Sequence, residues 1–148
     1  PKAVVWLVPS DAILTQTYRT LTDKNHDYRK KIDVDFGNKV EIYSKQQLLN
    51  GQNFNPTSVS DNLSVFVLSY DSFRTSKKDG RKAYQENGSL LPFVRFKQDS
   101  GSLLEDTDET ALIQVIRKLN PVVIVDDERV IIRTKLEKPS KIKGLALI

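Results

Sequence analysis

Cysteine and methionine are both absent from this chain of 148 residues, and histidine occurs once, at His26. Without cysteine there can be no disulfide, no thiolate zinc site and no cysteine nucleophile. A serine triad needs a histidine positioned as a base, whereas the charged neighbours of His26 predict a surface side chain. Because methionine is missing even at the first position, which is Pro1, we expect the chain to be a piece of a longer protein.

Long apolar runs are also missing, since none approaches the ~20 residues that cross a bilayer. Nothing at the amino end has the pattern of a secretory signal. The hydrophobic fraction of 39% and the charged fraction of 28% are ordinary for a globular domain. We therefore expect one domain, no membrane association and a cytoplasmic location.

Two phosphate-binding motifs are absent as well, namely Gly-x-x-x-x-Gly-Lys-Ser/Thr and Gly-x-Gly-x-x-Gly. Their backbone amides are what cradles phosphate groups at the start of a helix. No segment of this chain is therefore expected to hold a triphosphate in that way.

The positive charge is unevenly distributed. The net charge is +4 and the pI is near 9.3, but residues 129–148 contain six basic residues and one acid, a balance of +5. Residues 1–128 are left with a balance of −1. A nucleic-acid surface on the body of the protein must therefore come from a local cluster of charge.

Three nearly all-apolar runs, at 3–8, 63–69 and 122–125, predict β-strands that are buried on both faces. Residues 39–43 alternate polar and apolar side chains, which predicts a strand at a sheet edge. Helical segments separate these strands, so we expect an α/β fold with three layers, αβα, around a mainly parallel sheet. Right-handed crossovers would then place every strand's carboxyl end on one edge.

Capping residues and apolar spacing predict the helices between the strands. Ser10 or Asp11 opens the first helix, and Ser44 opens a short one that Gly51 ends. Asp106 opens the clearest helix, whose buried stripe includes Leu112 and Ile116. Residues 24–36 predict a surface helix, 52–62 a loop, and 79–106 an insertion with one or two short helices. The helix at 24–36 is predicted because Tyr28, Ile32 and Phe36 recur there at four-residue steps.

Polar residues follow three of the strands directly and should meet at the carboxyl edge, where open α/β sheets bind ligands. The acids 126–128 follow the last strand, and carboxylates placed there suit Mg²⁺ on a nucleotide. The alternative is an acidic loop that merely ends a strand. A basic cluster at 74–82 can follow a phosphate backbone, or can simply be a solvated loop. Its members are Arg74, Lys77, Lys78, Arg81 and Lys82.

Three segments resemble the amino-terminal motor domain of restriction-enzyme helicase subunits, within the DEAD/DEAH-box superfamily 2. They are AVVWLVPSDAILTQ from Ala3, VFVLSYDSFR from Val65 and TALIQVIRKLNPVVIVDD from Thr110. The likeness is to the Res subunit of type III systems and the R subunit of type I systems. It covers positions 1 to 127 and implies an incomplete P-loop NTPase (RecA-like) motor lobe, whose ATP-binding Walker A loop would precede Pro1.

The resemblance also implies roles for individual residues. One set of residues is expected to contact the backbone of double-stranded DNA. Members of the basic cluster are added to this set because of their charge. Asp126 helps to hold Mg²⁺ and Asp127 positions the attacking water, or else a one-residue insertion makes Asp127 and Glu128 the catalytic pair; both registers remain open. The expected DNA-contacting residues are Pro9, Ser10, Gln16, Ser69, Tyr70, Arg74, Lys77 and Lys78.

The parent protein implied by this resemblance uses ATP and Mg²⁺ and works with modification and specificity subunits of a restriction complex. The present chain should be inactive alone and should bind neither cofactor tightly. After Asp126 the family continues Glu-Ser-His-His, whereas this sequence contains no histidine there. Residues 128–148 are therefore interpreted as a divergent basic tail. The alternative function is a non-enzymatic α/β domain that binds nucleic acid or protein.

Overall fold

A computed structural model describes residues 2–94 and 110–126 of the chain. These ranges contain four β-strands, six α-helices and three 3₁₀ turns. The strands are β1 (Ala3–Val8), β2 (Val40–Tyr43), β3 (Leu63–Ser69) and β4 (Val122–Val125). The α-helices are α1 (Asp11–Thr22), α2 (Asp27–Asp35), α3 (Lys45–Asn50), α4 (Pro56–Asp61), α5 (Lys78–Arg81) and α6 (Leu112–Lys118). The 3₁₀ turns are Tyr70–Phe73, Lys82–Tyr84 and Gly88–Phe93.

The four strands form one parallel sheet in the order β2-β3-β1-β4. Every residue of β3 is buried, as its apolar run predicts for an interior strand. The register pairs Val8 with Ser69 and Leu7 with Val125, so β1, β3 and β4 end at nearly the same level. The prediction that the strands' carboxyl ends share one edge is confirmed.

Two hydrophobic clusters lie on opposite faces of the sheet, which gives the three predicted layers. On one face, Leu21 of α1 packs with Ile42, Val65 and Val67. On the other face, α3, α4, α6 and the last 3₁₀ turn cover the sheet. The largest side chains of this second cluster are Tyr43, Phe54, Phe66 and Phe93.

Several predicted helix ends are confirmed in detail. Ser10 caps α1, its hydroxyl accepting a hydrogen bond from the Ile13 amide at 3.4 Å. Ser44 and Gln47 form a reciprocal capping box at the start of α3. Gly51 ends that helix in the left-handed conformation, with a φ of 63°, which glycine adopts without steric cost.

The surface helix predicted at 24–36 is α2, and only one of its three regularly spaced apolar residues packs against the core. Ile32 packs against the core, but Tyr28 is 68% exposed and Phe36 is 47% exposed. The helix buries Arg29 instead, whose guanidinium donates to the Leu21 carbonyl oxygen at 2.8 Å. Acceptors on neighbouring elements, which helical spacing does not show, therefore set the orientation of α2.

The loop predicted at 52–62 is also wrong, because part of it is α4. Asn55 caps this helix by accepting from the Ser58 amide at 3.0 Å, and Pro56 occupies the first helical position. An Asn-Pro pair is a recognised way to begin a helix. Val59 then anchors α4 in the core.

Two predictions near the end of the described chain are corrected. The helix expected from Asp106 begins at Leu112, because Ala111 is extended; Asp106 itself lies outside the described residues. The strand β4 is not buried on both faces, since Val122 is 43% exposed and Ile124 is 38% exposed. Its place at the end of the strand order explains this exposure. Within residues 2–94 and 110–126, no helix is long and apolar enough to cross a membrane.

Candidate nucleic-acid interface at the carboxyl edge of the sheet

The carboxyl edge presents one short polar segment after each strand. In the order of the sheet these segments begin at Ser44 after β2, Tyr70 after β3, Pro9 after β1 and Asp126 after β4. Neighbouring strands lie about 4.8 Å apart, so the row is roughly 14 Å wide. The structure thus brings together the segments that begin at Pro9, Tyr70 and Asp126, which lie more than fifty residues apart in the sequence.

The segment after β1 is on the surface. Pro9 and Ser10 are both exposed, and the Ser10 hydroxyl is occupied in capping α1. Gln16 is exposed on the same helix, about 9 Å along the axis from its start. Pro9 and Ser10 therefore border the edge itself, and Gln16 lies on its flank.

The end of β3 is turned inward. Ser69 and Ser72 are buried, and their hydroxyl oxygens are 3.3 Å apart and share a hydrogen bond. Ser69 occupies the cap position of the 3₁₀ turn Tyr70–Phe73 but makes no side-chain capping bond. The Ser69 hydroxyl thus stabilises the turn from inside, whereas Tyr70 is half-buried at the boundary.

Residues 70–84, which we call the basic platform, fold as three short helical segments packed on one another. The Tyr84 hydroxyl donates to the Phe73 carbonyl oxygen at 2.9 Å. Gly80 is buried so tightly that a Cβ built on it would lie 2.0 Å from the Arg74 carbonyl oxygen. The basic cluster is therefore displayed on a folded unit, and not on an open loop.

The platform carries five basic residues and two acids. Arg74 pairs with Asp71 at 3.2 Å, and Lys82 pairs with Asp79 at 3.5 Å. Three further basic residues are exposed and form no ion pair among the described residues. Unpaired surface cations of this kind are suited to phosphate groups. These three residues are Lys77, Lys78 and Arg81.

Lys45, the first residue of α3, anchors the platform from outside it. Its ammonium donates to the carbonyl oxygen of Ser72 at 3.1 Å and also to that of Asp79. Burial lowers the pKa of Lys45, and the adjacent Asp79 carboxylate partly opposes that effect. Sequence reasoning missed this residue, because its acceptors are 27 and 34 positions away.

Asp126 continues β4 at the other end of the row. Its amide donates to the Leu7 carbonyl oxygen at 2.8 Å, so its backbone is fixed by the sheet. One carboxylate oxygen, Oδ1, is buried and has no hydrogen-bond partner within residues 2–94 and 110–126. That orphaned oxygen fits a ligand to Mg²⁺, which one or two carboxylates plus phosphate usually hold.

The other predicted metal-binding and catalytic residues follow Asp126 directly in the sequence. No cluster of three acidic or histidine side chains able to hold a metal occurs in the part of the chain that is described. Asp127 and Glu128 lie outside it. The register of the acidic pair, like the basic tail at 128–148, therefore stays a prediction.

A small depression lies at the opposite, amino edge of the sheet. Its volume is about 150 Å³, whereas pockets for small-molecule ligands begin near 300 Å³. The depression is therefore too small for a nucleotide. It is lined by Lys2, Phe36, Lys39, Asp61, Asn62 and Leu63.

No model of a known protein family matches the chain, and no curated protein or solved structure shows significant similarity to it.

Proposed function

We propose that this chain is a fragment of the ATP-dependent DNA translocase subunit of a restriction-modification system, and that its carboxyl edge contacts the DNA backbone. One observation carries the proposal. The ends of β1, β3 and β4 meet at this edge, so the three segments of the motor resemblance lie side by side. A motor lobe requires these strand ends to lie together, because its nucleotide site and its DNA site are both built on the same sheet.

The charge of the edge supports contact with DNA. Lys77, Lys78 and Arg81 project from a folded platform without ion pairs among the described residues. Cations of this kind bind phosphates independently of base sequence. A translocase needs sequence-independent contacts, since it must hold each successive position on the duplex.

Asp126 supplies the nucleotide side of the proposal. When ATP is bound to the parent, Mg²⁺ would stabilise the charge of the phosphates, and the Asp126 carboxylate would hold the ion. The orphaned Oδ1 is the observation that supports this role. Asp127 and Glu128 are the candidates for positioning water, in one register or the other. The phosphate loop would come from a preceding segment, so the chain alone should not hydrolyse ATP.

The exposed side of β4 is consistent with an incomplete lobe. The exposed side chains of Val122 and Ile124 form an apolar strip on β4. Within the described residues, β4 is hydrogen-bonded to a neighbouring strand on one side. Soluble proteins normally cover or interrupt such edges. Further strands or helices of a larger motor lobe would cover this one.

The test is a titration of the chain with duplex DNA at several salt concentrations. In the platform variant, Lys77→Gln, Lys78→Gln and Arg81→Gln are combined. The control combines Lys24→Gln, Lys30→Gln and Lys39→Gln, which removes three exposed charges away from the carboxyl edge. Each lost phosphate contact lowers the slope of log affinity against log salt by ~0.9. The slope measured for the platform variant should therefore be smaller than that of the unmodified chain by about 2 to 3. The slope for the control should change much less.

Equal losses in the two variants would mean that binding follows net charge, which would refute a DNA surface at this edge. Hydrolysis tests the other half of the proposal. An ATPase activity of the purified chain that survived Asp126→Ala would contradict the role of Asp126 and the need for a missing phosphate loop.

A non-enzymatic α/β binding domain is the second candidate, favoured by the absence of a glycine-rich phosphate motif from the chain. The coding sequence before Pro1 distinguishes the two. A Gly-Lys-Thr loop after an apolar strand would support the motor lobe, whereas its absence would favour the binding domain.

A further inference from the structure

We propose that Lys45 is the positioning residue of the basic platform: it binds no phosphate itself, but fixes the backbone that presents Lys77, Lys78 and Arg81. The inference depends on the proposed DNA-binding function of that platform. It goes beyond the motor resemblance, in which Lys45 belongs to none of the three matching segments.

The backbone at Lys45 is held in place by several contacts. It is the first residue of α3 and follows the end of β2 directly after the cap Ser44. The Ser44 amide donates to the Gln47 side-chain oxygen at 2.9 Å, and the Tyr18 hydroxyl donates to the same oxygen at 3.3 Å. The strand, the capping box and α1 therefore all hold the start of α3 in place.

The two acceptors of Lys45 lie on either side of the segment 73–78. Ser72 belongs to the 3₁₀ turn after β3, and Asp79 belongs to α5. One ammonium thus ties together the two ends of a segment that includes Arg74, Lys77 and Lys78. Because hydrogen bonds from a charged donor are stronger than neutral ones, this link restrains the position of α5 on the turn.

The orientation of Lys45 is informative because burial of a charged ammonium is unfavourable. Burial lowers the pKa of Lys45, the Asp79 carboxylate opposes that effect, and the nearby Lys82 adds a smaller lowering. A lysine that only added positive charge to the surface would be better placed in solvent. Its inward position is instead explained by the two carbonyl oxygens that it binds.

The experiment compares Lys45→Met with Lys2→Met in the full chain. Lys2 is a matched control, because its ammonium also donates to one backbone carbonyl oxygen, that of Ser60 at 2.7 Å, but at the amino edge. Both variants lose one charge. Salt-dependent titration with duplex DNA measures the binding slope, and thermal unfolding measures whether each variant folds.

A direct phosphate contact at Lys45 would lower the slope by ~0.9. A positioning residue should lower it by more, towards the value of the platform variant, because several contacts are lost together. Lys45→Arg, which keeps a charged donor, should restore most of the slope. If Lys45→Met does not fold, the comparison of Lys45→Arg with Lys45→Gln provides the same contrast.

A slope for Lys45→Met that matches Lys2→Met, while the platform variant still loses binding, would overturn this inference and leave the proposed function standing. A platform variant that binds like the unmodified chain would overturn both.

Discussion

The guanidinium of Arg29 lies 2.9 Å from the carboxylate of Asp33, and the arginine is only 6% exposed. The same guanidinium donates to the Leu21 carbonyl oxygen at 2.8 Å and to the Val40 carbonyl oxygen at 3.4 Å. Arg29 therefore joins the end of α1, the helix α2 and the start of β2. A charged side chain can be buried at this position because its guanidinium donates to these three acceptors.

Arg29→Ala should destabilise the fold by about 3 kcal/mol, since it leaves a carboxylate and two carbonyl oxygens without the guanidinium that donates to them. Lys31→Ala is the matched control. It also breaks an i,i+4 pair on α2, with Asp35 at 3.2 Å, but both side chains of that pair are largely exposed. Such pairs contribute ~0.3–0.5 kcal/mol. Urea unfolding measures both free energies, and equal losses would contradict the core role of Arg29.

Gly80→Ala should disrupt the basic platform. The new methyl group would lie 2.0 Å from the Arg74 carbonyl oxygen and 2.7 Å from that of Asp71. Overpacking of this kind costs about 1–3 kcal/mol. Gly88→Ala is the comparison, because no atom of the described residues lies within 4 Å of its added Cβ. Thermal unfolding should separate the two variants clearly; a neutral Gly80→Ala would mean that α5 does not rest on this turn.

Stability should fall at alkaline pH because of Tyr43. Burial, with a smaller contribution from Glu41, raises the pKa of Tyr43 to about 12, whereas an unfolded tyrosine titrates near 10. The folded state holds the proton more tightly, so this stabilisation is complete below pH ~10 and is lost as the pH rises towards ~12.

Unfolding of the unmodified chain and of Tyr43→Phe across this pH range checks the prediction. The variant should lose about 1 kcal/mol at neutral pH, because the hydroxyl no longer donates to the Asn53 carbonyl oxygen at 2.7 Å. It should then show a weaker alkaline dependence. An identical pH dependence in both proteins would contradict the assignment.

Asp126→Asn should leave the fold as stable as before or make it slightly more stable. Its Oδ1 is buried without a partner among the described residues, and an unpaired buried polar group destabilises the fold unless it serves a function. The matched change Asp33→Asn removes a carboxylate that is paired, and should destabilise. A clear loss of stability in Asp126→Asn would indicate a structural role and weaken the case for a metal ligand.

Sequence patterns predicted the parallel sheet well, because each interior strand needs an uninterrupted apolar run. They also placed the capping residues Ser10, Ser44 and Gly51, whose roles depend on neighbours within a few positions. The burial of Arg29 in α2 could not be predicted from spacing, since its two carbonyl acceptors belong to other elements. Asn55 and Pro56 have the pattern of a helix start at α4, but the polar composition around them favoured a loop.

The candidate site was predicted only in outline. Parallel topology was enough to bring Pro9, Tyr70 and Asp126 to one edge. It did not show that Ser69 faces inward or that Gly80 closes the platform, because these depend on contacts within a tight turn. Nor could spacing reveal Lys45, whose partners are distant in sequence. Hydrogen bonds of this kind become visible only when three elements are placed together.

The most direct test of a DNA surface at the carboxyl edge is a map of amide chemical-shift changes when duplex DNA is added to the chain. The changes should centre on residues 70–84 and on the start of α1, and should weaken as salt is raised. Amides at the amino edge, including those of Lys2, Lys39 and Asn62, should remain unchanged. Shifts centred on the amino edge instead, with the platform unaffected, would contradict the proposal.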